Sequence, residues 1–179
     1  MELWDLYDRD RIRTGEIHLR GTPLPEGRYH MVVHVVIFNS DGQMLIQQRQ
    51  PFKAGWSNMW DVTVGGSAVA GDDSRTAAQR EVMEEIGLPI DLTGELPKLT
   101  IPFECGFDDI YILVRDVDLT TLTLQESEVQ AVRWAEESEI QEMITDGRFI
   151  PYHPALISLL FAMRSQRGTL TRHEGLEGP

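Results

Sequence analysis

The chain has 179 residues, 41% hydrophobic and 25% charged, which suits one well-filled globular core and is short for two full domains. Sixteen basic against twenty-nine acidic residues leave a formal net charge of −13, which argues against non-specific nucleic-acid binding because that needs an excess of Lys and Arg. No apolar run approaches the roughly 20 residues of a membrane span, MELWDLYDRDR lacks a signal-peptide core, and the single cysteine, Cys105, has no internal disulfide partner. A soluble, cytoplasmic protein is expected, with Cys105 as buried filler.

Residues 2–20 alternate enough for a small hairpin, with Leu3, Trp4, Leu6 and Tyr7 before an Asp-Arg-Asp turn and Ile17 to Leu19 after it. The GTPLPEG stretch reads as a linker, so 1–27 forms a hairpin and linker ahead of a main domain over 28–167. Tyr29 to Asn39 is a continuous Val/Ile-rich run that predicts a central, buried strand. Ser40-Asp41-Gly42 turns it into a second strand, Met44 to Arg49. A polar loop with Pro51, Gly55 and Trp56 follows, then a short strand from Met59 to Val64 that leads to Gly65-Gly66. A helix begins near Asp73 or Ser74, either of which can cap it, and stops at Gly87 before Pro89. Strands are expected at Lys98–Glu104, Ile110–Val114 and Val129–Trp134, and helices at Glu137–Thr145 and Pro154–Ser165. The tail, 168–179, reads as loose.

On the first helix, Glu81, Glu84 and Glu85 fall at i, i+3 and i+4 and share an arc of roughly 100°. Three anions there repel, and a hard divalent cation with oxygen ligands is the natural compensation. Alone, EVMEE describes a solvated acidic face. Its context changes that. Gly66, Arg80, Glu81, Val82, Glu84, Glu85, Gly87 and Leu88 stand at the spacing of the Nudix signature, which this stretch resembles at eight of nine positions. Asp72 stands where that family has Glu, one methylene shorter.

The resemblance implies an α/β fold, a Nudix-type α/β/α sandwich around a mixed sheet, and hydrolysis of a diphosphate with Mg²⁺, or Mn²⁺ in its place. By matching position it makes Glu84 and Glu85 the principal metal ligands, and Glu81 a third that takes a proton from the attacking water. The backbone carbonyl of Gly65 joins the metal set. Arg80, counted with the catalytic residues, pairs with Asp72 to hold the loop against the helix. A further carboxylate comes from outside the helix; Glu128 is the first choice, with Glu126, Asp108 and Asp109 competing.

The run from Tyr29 to Thr63 is similar to type 1 isopentenyl-diphosphate isomerase, a Nudix-fold enzyme. That likeness implies that Arg49 and Lys53, four residues apart, grip a diphosphate. It also aligns His30 with an isomerase metal ligand, although a histidine inside a buried strand reads as a hydrogen-bonded core residue. Gly65 stands where those isomerases carry the catalytic cysteine, and Ser67 where they carry a metal-binding histidine. Hydrolysis of a phosphoanhydride in a nucleoside diphosphate linked to another group, or a related diphosphate, therefore leads. An isomerase-like enzyme and a non-catalytic ligand-sensing module are the alternatives. Trp56, Trp60, Phe103, Phe107 and Tyr152 are candidates for stacking on a base. The expected partner is a phosphorylated small molecule, and the hairpin and last apolar helix offer surfaces for a homodimer.

Overall fold

A computed structural model describes residues 2–166 and 168. Strands β1 (Leu3–Tyr7) and β2 (Arg13–Leu19) form the expected antiparallel hairpin, separate from the main sheet. The remaining strands are β3 (His30–Phe38), β4 (Met44–Arg49), β5 (Trp60–Asp61), β6 (Val64–Ser67), β7 (Leu99–Phe103), β8 (Gly106–Val114) and β9 (Val129–Ala135). Helices α1 (Ser74–Ile86), α2 (Glu137–Thr145) and α3 (Pro154–Met163), with a 3₁₀ turn at Leu119–Thr121, complete the elements among the described residues. The tail expected to be loose lies, apart from Gly168, outside the described residues.

β3 is the hub. It runs parallel to β8 from His30↔Gly106 to Phe38↔Val114, and antiparallel to β6 from Val32↔Ser67 to Val35↔Val64. It meets β4 only at Phe38↔Met44, after which β4 turns away to pair with β9 and β5. The result is a mixed sheet that opens where β3 and β4 diverge. Such a hub has both faces covered, which is why its sequence is apolar almost throughout rather than alternating.

Helices lie on both faces. Met31, Val33, Val35 and Ile37 pack with Ala77, Ala78, Val82 and Ile86 of α1, whereas Val36, Phe38, Ile110 and Ile112 pack with Ile140 and Met143 of α2 and Ile157, Leu160 and Phe161 of α3. This is the expected α/β/α sandwich.

Two elements differ from expectation. The segment Met59 to Val64 is not one strand. It breaks between β5 and β6, where the Thr63 hydroxyl donates to the Leu45 carbonyl and accepts from the Ile37 N–H, so a side chain replaces the ladder bond. Strand β8 begins at Gly106 rather than Ile110, because Asp108 and Asp109 are both paired within the fold.

Candidate active site

Helix α1 is fixed at both ends and along one side. The Asp73 carboxylate accepts from the Thr76 N–H at 2.8 Å, capping the start. Gly87 sits in the left-handed region at φ 67° and its N–H closes onto Met83 O. With Ala78, Val82 and Ile86 fully buried, the rotation of the helix is set, and so is the direction of each carboxylate. Adjacent positions then diverge. The Glu84 side chain is 50% exposed, while Glu85 is turned inward and is 6% exposed.

Arg80 ties the loop to the helix. Its Nε donates to Asp72 Oδ2 at 2.9 Å, Nη1 to Glu81 Oε1 at 2.9 Å and Glu84 Oε2 at 3.2 Å, and Nη2 to the Ser67 carbonyl at 3.0 Å. The shorter Asp72 thus reaches the arginine. Gly66 lies immediately above Glu81: a Cβ there would stand 2.1 Å from the Glu81 carboxyl carbon. Any side chain at this position would have to push the Glu81 carboxylate out of its place.

Glu85 is the most perturbed of the three acids. Burial pushes its pKa up to about 8; a hydrogen bond from Gln47 opposes the rise, and the charges of Glu81, Glu128 and Asp61 add to it. Burial also raises Glu81, against the pull of Arg80. Gln47 Nε2 donates to Glu85 Oε2 at 2.9 Å, while Gln47 Oε1 is buried without a partner.

Among the described residues, no three His, Cys, Asp or Glu side chains are gathered as a ready-made ligand set. Arg80 draws Glu81 and Glu84 to one side, and Gln47 holds Glu85 on the other. The donor chemistry nonetheless fits a hard divalent cation: three carboxylates on one helix face and, beside one of them, an amide oxygen lacking a donor.

Arg49 and Lys53 are occupied by protein partners rather than grouped as a free pair. Arg49 Nε donates to the Gly55 carbonyl at 3.2 Å, and Nη1 lies 3.8 Å from Asp61 Oδ2. Lys53 forms an ion pair with Glu128. Glu128 is close enough to raise the pKa of Glu85, which separates it from its rivals. Glu126 is exposed, Asp108 accepts from His34 Nδ1 at 2.8 Å, and Asp109 is consumed by Arg11 at 2.7 Å and Thr100 at 2.6 Å.

The sequence carries no sign of His34 and Asp61, nor of the polar contacts they make with Asp108 and Tyr152. Tyr152 donates to Asp61 Oδ1 at 2.8 Å and its oxygen is 3.3 Å from His34 Nε2, so Asp108, His34, Tyr152 and Asp61 form a chain of contacts ending near Arg49. Burial raises Asp61 and Tyr152. For His34, burial acts downward, but Asp108 outweighs it and the net shift is upward. A signal for Gln47 was available: in MLIQQR two adjacent glutamines cannot both face solvent, so period-2 alternation turns one inward.

The aromatic candidates separate. Phe107 is buried and Trp60 and Tyr152 are half-buried, whereas Trp56 and Phe103 are exposed. Trp56 stands on the loop that carries Lys53. His30 is buried as expected but not fully hydrogen-bonded: it stacks on Trp4 at 4.1 Å, its Nδ1 has no partner, and burial drops its pKa to about 4. Cys105 is only partly buried, at a strand turn, 3.8 Å from His30 Nε2.

Comparison with known proteins follows the same lines. Residues 28–154 match the NUDIX domain. An uncharacterized Nudix hydrolase of Listeria monocytogenes is 48% identical over 152 residues, 85% of this chain and 90% of that protein. An isopentenyl-diphosphate Delta-isomerase of Pectobacterium atrosepticum is 33% identical over 84 residues, 47% of this chain and 45% of that one. Among solved structures, a Deinococcus radiodurans protein superposes with a TM-score of 0.70 at 26% identity, covering 89% of this chain and 97% of that one. The chain belongs to the Nudix family and is a Nudix hydrolase.

Proposed function

We propose that the protein is a Mg²⁺-dependent hydrolase that cleaves a phosphoanhydride bond in a nucleoside diphosphate linked to another group, or in a related diphosphate; Mn²⁺ would serve in place of Mg²⁺. The observation that carries this reading is the buried Glu85 carboxylate, with Glu81 and Glu84 on the same helix, braced by Arg80. Glu84, Glu85, Glu81, Glu128 and the Gly65 carbonyl would hold the cation. Bound there, it would neutralise phosphate charge and lower the pKa of water. Glu81, raised by burial, is suited to accept a proton from the attacking water. Arg49 and Lys53 would meet the substrate's phosphates, and the exposed Trp56 would stack on its organic group.

The isomerase-like alternative fits less well. A Cβ at position 65 would stand 2.6 Å from the His34 ring, so the cysteine that chemistry needs would have to displace His34 from its contacts with Asp108 and Tyr152. The test is a panel of nucleoside triphosphates, nucleotide sugars, dinucleotides and prenyl diphosphates incubated with Mg²⁺ and scored for phosphate or pyrophosphate release. Release from one compound, lost in Glu84→Gln and Glu85→Gln, is expected. Release at wild-type rates from both variants refutes the assignment.

A further inference from the structure

Gln47 is out of place by every structural criterion. It lies on β4 beyond the fully buried Leu45 and Ile46, is itself 2% exposed, and sits opposite Asp61 on β5 and Val132 on β9. An apolar side chain would fill such a position without polar cost, whereas a carboxamide with one end unmade costs about 1–3 kcal/mol. Its Nε2 makes a 2.9 Å bond to Glu85 Oε2. Its Oε1, carried by the same planar group, is buried with no donor in reach.

The surroundings say what that oxygen lacks. Glu85 and Asp61 are near, and both accept rather than donate when ionised. A second carboxylate at 47 would add repulsion, and a hydrocarbon would take away the hydrogen bond Glu85 receives. With both carboxylates ionised neither can donate, so the donor must be small enough for a buried niche; water meets that requirement, and water polarised by a divalent cation donates more strongly.

Resting on the hydrolase reading above, we propose that Gln47 is a positioning residue of the cation site: Nε2 holds Glu85 in its inward orientation, and Oε1 accepts a hydrogen bond from a water bound to the cation. Groups that orient metal ligands in this way typically alter metal affinity or activity 10- to 100-fold when removed. The carboxamide serves because it is the side chain that offers a donor and an acceptor from one rigid plane without adding charge.

The test is titration of the full chain with Mn²⁺ alone, by calorimetry and by electron paramagnetic resonance of free Mn²⁺, on wild type, Gln47→Met, Gln47→Glu and Glu85→Gln. Gln47→Met keeps the length and removes both polar ends. It should weaken Mn²⁺ binding at least roughly 10-fold while its melting temperature before Mn²⁺ addition holds or rises. Gln47→Glu keeps an acceptor oxygen but loses the donor to Glu85 and adds a charge that repels it until a cation binds, so it should lower the melting temperature before Mn²⁺ addition yet weaken Mn²⁺ binding less than Gln47→Met does, which a purely packing role would not produce. Wild-type affinity in Gln47→Met alongside lost affinity in Glu85→Gln overturns the role of Gln47 and leaves the cation site standing. Wild-type affinity in Glu85→Gln overturns both. Equal weakening in Gln47→Met and Gln47→Glu overturns the oxygen's role.

Discussion

Replacing Glu85 by Gln should stabilise the protein in chelator-containing buffer, and by an amount that depends on pH. Burial holds the Glu85 pKa at about 8 against an ordinary 4.5. Between those values the folded protein carries a proton that the unfolded chain has released, so stability falls as pH rises, by about 1.4 kcal/mol per pH unit, and levels off above about 8. The gap of about 3.5 makes the loss roughly 5 kcal/mol at most. A glutamine still buries a polar amide, so about half of that, roughly 2–3 kcal/mol, is the expected gain. For a domain of this size it corresponds to roughly 5–10 °C in Tm. Thermal melts of both proteins at pH 5 and pH 8.5 with EDTA measure it: the curves should nearly coincide at the lower pH and separate at the higher, with the variant above. An equal difference at both pH values refutes the assignment of a raised Glu85 pKa.

Asp72→Ala removes one of the bonds to Arg80 but leaves Glu81, Glu84 and the Ser67 carbonyl, so denaturation should show a loss of about 1–2 kcal/mol with kcat changed only modestly. Gly66→Ala should abolish turnover on any confirmed substrate while circular dichroism stays native, because the new methyl displaces the Glu81 carboxylate. Arg49→Lys keeps charge but loses the planar fork; KM should rise, or kcat fall if the contact forms in the transition state, with Mn²⁺ affinity unaltered. Arg49→Ala should be worse and Lys53→Ala intermediate, and unchanged kinetics in the double alanine variant would return both to surface roles.

Elements whose causes are local in sequence were legible in advance. Asp73 and Gly87 bound α1 as their capping chemistry requires, α2 spans the expected Glu137–Thr145, and the Asp72–Arg80 pair follows from the signature spacing. What escaped depends on partners distant along the chain. The acidic Asp108-Asp109 looked like loop, yet both sit in β8 because His34 and Arg11, 74 and 98 residues away, pair with them. The sequence offers Tyr152 only as an aromatic wall; its hydroxyl finds Asp61 across 91 residues. Nothing in the sequence signals that Lys53 and Glu128, which it points to different ligands, face each other.

The N-terminal hairpin acts as a splint for the signature loop. Ala70 N–H donates to Leu3 O at 2.7 Å, Gly71 N–H to Asp5 Oδ2 at 2.9 Å, and Arg13 reaches the Asp72 carbonyl. Arg11, in the hairpin turn, supplies the counter-charge for Asp109, which is 1% exposed. At the other end, Leu160, Phe161 and Met163 of α3 fill the second core beyond the last matched residue, 154. A fragment trimmed to residues 28–154 would therefore contain every signature residue yet leave a buried aspartate without its cation and the loop before α1 without its brace. The family segment and the packed core have different borders on this chain, and the wider one contains the braces that hold the signature loop.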